Sequence, residues 1–240
     1  MKKLYSTLII VALCSIIQQR AIALIYNTDM KFLDTTALHT LNYLALGDSY
    51  TIGEGVAADQ SYPYQLAAAL NKKGQRINPP TIIAKTGWRT DELIQGIANA
   101  NLSQKFDIVT ILIGVNNQYQ NIDTVIYRTE FVQLLKTCIA FAKDNKHHVF
   151  ILSIPDWGVT PFANGRNLEK IAEQIDSYNR INKEESKKAG VNYINITSLY
   201  REMGDDPAYL TNDKLHPSAK MYEKWAKLLA IHIEAQLKKD

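Results

Sequence analysis

Four short blocks of the chain carry side chains that could do chemistry. The first is Gly47-Asp48-Ser49-Tyr50, directly after an apolar run. A serine on the turn from a strand into a helix presents its hydroxyl at the sheet edge. Its own backbone N–H can face a developing oxyanion there, helped by the helix N-terminus. Alone, the triplet reads equally well as a helix N-cap. The second block, Asp213-Lys214-Leu215-His216-Pro217, sets a carboxylate three residues before a histidine. A carboxylate on one ring nitrogen fixes the tautomer and leaves the other nitrogen to take a proton from a hydroxyl. Asp144-Asn145-Lys146-His147 repeats that spacing, so position in the fold has to choose between the two. The third block, Gly114-Val115-Asn116-Asn117, follows the most apolar run, and the fourth holds Gly87 within Lys85-Thr86-Gly87-Trp88-Arg89-Thr90. The Asn116 amide and the Gly87 N–H are two more oxyanion donors, although Asn is also frequent in plain turns.

These blocks can act together only if the fold carries them to one place. From residue 42 onward, apolar runs alternate with helical patterns. Strands are expected at 43–46, 81–84, 106–113, 148–154 and 191–194. Helices are expected at 64–73, from about 91, and at 124–143, 167–189 and 218–237. Five apolar strands separated by helices call for a parallel sheet covered on both faces, with right-handed crossovers. Ligands in such sheets sit beyond the carboxyl ends of the strands. Ser49, Gly87 and Asn116 all follow strands, and His216 can reach the same edge. The Asp144/His147 copy precedes the fourth strand and therefore lies at the wrong edge. It reads as a solvated turn.

The four blocks, supplying Ser49, Gly87, Asn116 and His216 in that order, resemble the GDSL, or SGNH, hydrolase superfamily. The resemblance spans roughly residues 43–216, with Asp213 completing a Ser-His-Asp triad. It implies a three-layer α/β/α sandwich of the flavodoxin-like kind around the five-stranded parallel sheet. It also implies a serine esterase that acts on acyl esters without metal or other cofactor, through an oxyanion hole formed by Ser49, Gly87 and Asn116. Two positions depart from the family pattern: Tyr50 stands for the Leu of the first block, and Asn117 for the Asp that often follows the block Asn. The second change bears on substrate preference. Small acetyl or short-chain esters are the expected substrates, with a lysophospholipase or thioesterase acting on longer chains as the alternative. A non-catalytic ligand-binding protein on the same fold is the remote alternative, disfavoured because a binding module has no need of all five residues.

Composition narrows the remaining choices. The 240 residues are 46% hydrophobic and 21% charged, with a net charge of +3 and no long single-sign run. One α/β domain is expected, and nucleic acid is not indicated. Lys2 and Lys3 precede an apolar stretch at 4–17, and Ala21-Ile22-Ala23 follows. That is the pattern of a signal peptide over residues 1–23, leaving a hydrolase domain at 24–240 and a secreted or periplasmic enzyme. The apolar stretch is shorter than the roughly 20 residues of a bilayer-spanning helix, so stable membrane insertion after cleavage is not expected; an uncleaved anchor is the alternative. Cys14 lies in that segment and Cys138 in a helical pattern, so Cys138 reads as a small buried hydrophobe. Trp88, Trp157 and Tyr119 are candidates to line a site, or else to pack in the core. Arg89 is a candidate for a substrate anion or a solvated charge, and Asp48 and Thr51 for supporting the serine turn. The substrate is a small-molecule, glycan or lipid acyl ester, and the sequence leaves the oligomeric state open.

Overall fold

A computed structural model describes residues 40–239 of the chain. The expected signal segment, its cleavage point at Ala23 and Cys14 lie outside the described residues. Strand β1 is Tyr43–Gly47, followed by the one-turn helix α1 (Ser49–Ile52) and by α2 (Tyr62–Lys72). Strand β2 (Thr81–Ala84) leads to α3 (Thr90–Ala100). Strand β3 (Ile108–Leu112) leads to α4 (Val115–Tyr119) and α5 (Thr124–Phe141). Strand β4 (Val149–Leu152) precedes α6 (Leu168–Ala189), and β5 (Asn192–Ile194) precedes α7 (Thr197–Met203) and α8 (Ala219–Leu237).

All five strands are parallel, in the order β2-β1-β3-β4-β5. The chain first steps from β1 outward to β2, then crosses back over β1 to β3 and continues in that direction. Right-handed crossovers in opposite directions place their helices on opposite faces. Accordingly α2 packs with α8, and α3, α5 and α6 pack in series. Helices on both sides explain why β1, β3 and β4 are buried at every position, with no polar-out alternation. The reversal of strand order lies between β1 and β3, which is where such sheets bind ligands.

The sequence placed each strand and each long helix, but its apolar runs overshoot. Phe106, Ile113 and Ile154 are buried yet lie beyond the strands, because packing continues where ladder pairing has stopped. Cys138 is buried in α5, and burial pushes its thiol up to about 12. Thiolate chemistry is thereby suppressed, as expected of a packing residue. Among the described residues no helix is long and apolar enough to cross a membrane.

Candidate active site

Three of the four chemistry-bearing blocks leave the carboxyl ends of strands, and the fourth, at 213–217, comes just before α8. After β1 the chain turns at Asp48, whose Oδ1 accepts from the Tyr50 N–H at 3.0 Å and so caps α1. Gly47 makes that turn possible. A methyl there would stand 2.1 Å from Thr51 Oγ1 and 2.3 Å from the Leu112 carbonyl oxygen, so α1 could not settle against β3. Ser49 is the first residue of α1, and its backbone N–H has no intrahelical partner. Because α1 is one turn long, the isolated N–H rather than a macrodipole is what it can offer an anion.

Ser49 Oγ lies 2.9 Å from His216 Nε2, and His216 Nδ1 lies 2.6 Å from Asp213 Oδ2. Asp213 is held in turn: its Oδ1 accepts from the Thr211 hydroxyl at 2.6 Å and from the N–H groups of Leu215 and His216 at 2.9 Å each. Partial burial pushes the Asp213 carboxyl up. The bonds from His216, Thr211 and the two backbone N–H groups outweigh it, leaving the acid at about 2. It is therefore a carboxylate at any working pH. Such a carboxylate fixes the Nδ1–H tautomer and stabilises the imidazolium when one forms. The second spacing match does not reach this place. His147 is exposed in a 3₁₀ turn before β4, at the amino edge.

The two further donors arrive on neighbouring loops. Gly87 turns with φ +82°, a conformation that L side chains rarely adopt. Its N–H finds no acceptor among the described residues. Asn116 Nδ2 donates to the Trp88 carbonyl at 3.0 Å, which ties the β3 loop to the loop carrying Gly87. The amide has two hydrogens, so one is left for a ligand. Ser49, Gly87, Asn116 and His216 share one cleft of about 230 Å³, walled by Tyr50, Thr86, Val115, Tyr119, Trp157, Phe162 and Leu215. A larger surface groove of about 560 Å³ beside α2 and α8, lined by Gln65, Lys72 and Glu223 among others, contains none of the four blocks.

The structure decides several roles that the sequence left open. Asn117 does not face the cleft. It is fully buried, its Oδ1 accepting from the Thr90 N–H at 3.1 Å and its Nδ2 donating to Thr90 Oγ1 at 2.7 Å. It clamps the start of α3, and with it the Gly87 loop. Arg89 is occupied internally by Asp91 at 2.8 Å and Gln120 at 2.7 Å. Trp88 lies over Gly96, whereas Tyr119 and Trp157 do line the cleft. Thr51 is buried with its hydroxyl toward the Leu46 carbonyl, a supporting role as expected.

Tyr50, Phe162, Leu215 and Thr86 were not singled out as site residues. Of these, Tyr50, Thr86 and Leu215 carried a signal through their neighbours Ser49, Gly87 and His216, and Phe162 had no such neighbour. The Tyr50 ring sits 5.0 Å from the His216 ring, centroid to centroid, and extends into a buried cluster with Tyr200 and Trp225. Beneath Ser49, Asp48 is wholly buried, and burial raises its carboxyl to about 8 against the opposing Tyr50 N–H bond. Its Oδ2 has no partner among the described residues.

Comparison with known proteins gives the family and the fold. The model of the GDSL-like lipase/acylhydrolase family matches residues 45–224, a span that contains Ser49, Gly87, Asn116, Asp213 and His216. The spore germination lipase LipC of Bacillus licheniformis is 26% identical over 216 residues, covering 79% of this chain and 95% of its own. Among solved structures, TesA superposes with a TM-score of 0.64 at 14% identity, over 81% of this chain and 99% of its own. The lipase/acylhydrolase from Enterococcus faecalis gives 0.64 at 20%, over 82% and 97%. The acetyl xylan esterase AlAXEase gives 0.63 at 16%, over 79% and 98%. At these identities the structures share a fold.

Proposed function

The chain belongs to the GDSL-like lipase/acylhydrolase family and is a carboxylic ester hydrolase, and we propose that it cleaves short-chain acyl esters with Ser49 as nucleophile. The observation that carries this reading is the unbroken chain from Ser49 Oγ through His216 to Asp213, at 2.9 and 2.6 Å. His216 Nε2 takes the Ser49 proton as Oγ bonds to the ester carbonyl carbon. The oxyanion that forms is met by the N–H groups of Ser49 and Gly87 and by the free amide hydrogen of Asn116. His216 then gives its proton to the departing alkoxide. In the second half, it takes a proton from water, hydroxide equivalent adds to the acyl carbon, and Ser49 leaves with the proton returned.

The cleft supports a short acyl group. At about 230 Å³ it is smaller than the roughly 300–1,000 Å³ of pockets that enclose drug-sized ligands. Each methylene adds about 0.8 kcal/mol only when it leaves water, so a chain projecting past the rim gains little. The exposed rings of Tyr119 and Phe162 favour a second reading, in which a longer chain runs out along the rim. The lipase relative is in keeping with it. A 4-nitrophenyl ester series from acetate to palmitate separates the two. The first reading expects kcat/KM to peak at acetyl or butyryl and fall beyond, and a rise continuing to palmitoyl would replace it with the second. The signal pattern at residues 1–23 adds export to the proposal, and with it acetylated glycans or lipids outside the cytoplasm as substrates.

A further inference from the structure

One wall of the cleft holds a charge that the proposed reaction does not use. Tyr119, Trp157 and Phe162 stand edge to face, with Trp157 at 5.3 Å from Tyr119 and 6.1 Å from Phe162 by ring centroids. Trp157 is buried and anchored by its indole N–H, which donates to Gln118 Oε1 at 2.7 Å. Over all three rings lies the Arg166 guanidinium, 5.2 Å from Tyr119, 5.2 Å from Trp157 and 5.7 Å from Phe162. One of its N–H groups donates to the Tyr119 hydroxyl at 3.0 Å. The loop beneath is pinned by the Arg166 N–H to the Ala163 carbonyl, and the next residue, Asn167, caps α6.

Arginines 89, 128 and 201 are all neutralised by carboxylates. Arg166 meets no carboxylate among the described residues, and its side chain is exposed. Stacking on aromatic faces orders a guanidinium while leaving its N–H edges outward, and an ordered fork is suited to a carboxylate or phosphate. The charge is also one-sided. At the opposite wall, Thr86 donates to the Glu54 carboxylate, so the cleft has an acidic neighbour at the Gly87 end and a cationic one at the aromatic end.

We propose that Arg166 determines specificity: the enzyme prefers esters bearing a carboxylate or phosphate at the outer end of the group that lies against the Tyr119–Trp157–Phe162 wall. The inference rests on the esterase reading above and adds the substrate's charge to it.

The test compares wild type, Arg166→Met and Arg166→Lys on two pairs of esters. One pair places the anion on the acyl side: the 4-nitrophenyl monoester of glutaric acid against 4-nitrophenyl butyrate. The other places it on the alcohol side: 4-acetoxybenzoate against its methyl ester. The readout is the anionic-to-neutral ratio of kcat/KM within each enzyme, so intrinsic reactivity and fraction folded cancel when enzymes are compared. Arg166→Met is expected to lower the ratio about tenfold for one pair, the scale of a lost hydrogen bond to a charged group, and the pair that responds tells which side the wall holds. Arg166→Lys should fall between, and added salt should lower the wild-type ratio but not that of Arg166→Met. Equal ratios in wild type and Arg166→Met for both pairs, or parallel loss on all four esters, would make Arg166 a strut and overturn the proposal. No turnover of any of the four esters by the wild type would instead defeat the esterase reading, and the inference with it.

Discussion

Replacing Asp48 by Asn should make the protein's stability less dependent on pH, in a direction the structure fixes. Asp48 is fully buried directly before Ser49, and its carboxyl is raised from an ordinary 3.8 to about 8, chiefly by burial. An unfolded chain gives up that proton near pH 4, whereas the folded chain keeps it until about pH 8. Across that window the unfolded state binds fewer protons than the native state, so rising pH favours unfolding. Asn retains the acceptor for the Tyr50 N–H but does not titrate. Between pH 5 and pH 8 the wild type should therefore lose, relative to Asp48→Asn, about 1.4 kcal/mol per pH unit, on the order of 4 kcal/mol in all. At pH 5 the variant is expected to be about 1 kcal/mol less stable, since its amide N–H inherits the unpartnered position of Oδ2. At pH 8 the order should reverse. Urea unfolding of both proteins at each pH, with equal m-values, measures the difference directly. A gap between the two proteins that stays constant, or that moves toward the wild type as pH rises, would show that Asp48 is ionised in the folded protein.

Two substitutions test the site more locally. His216→Ala should remove nearly all ester hydrolysis while His147→Ala leaves it intact, in a 4-nitrophenyl acetate assay; the reverse outcome would mean that the Asp144/His147 spacing is the functional one. Asn116→Ala should lower kcat by about 100-fold or more, on the order of 3 kcal/mol, with a smaller change in KM. An effect confined to KM would remove Asn116 from the transition state.

How far the sequence spoke depended on the range of the interactions. Strand and helix positions were legible because burial on both faces writes itself as continuous apolar runs, and the parallel order then put Ser49, Gly87 and Asn116 on one edge. That same topology separated His216 from His147, which spacing alone could not. The short helices α4 and α7 escaped notice because five to seven residues hold too little periodicity to register. Asn117 was misjudged since its partner, Thr90, is 27 residues away. Tyr50 beneath His216, and Arg166 over three rings drawn from α4 and the β4–α6 loop, are likewise tertiary facts. No local pattern announces a contact of that kind.

The central claim is that Ser49 forms the acyl-enzyme. A chromogenic phosphonate ester, which stops at the first covalent adduct, tests it when intact mass and peptide mapping follow the reaction. The account predicts one adduct per chain, located on Ser49, with loss of esterase activity in step with labelling and no labelling of a folded Ser49→Ala variant. An adduct on any other residue, or substantial ester turnover by folded Ser49→Ala, would contradict it.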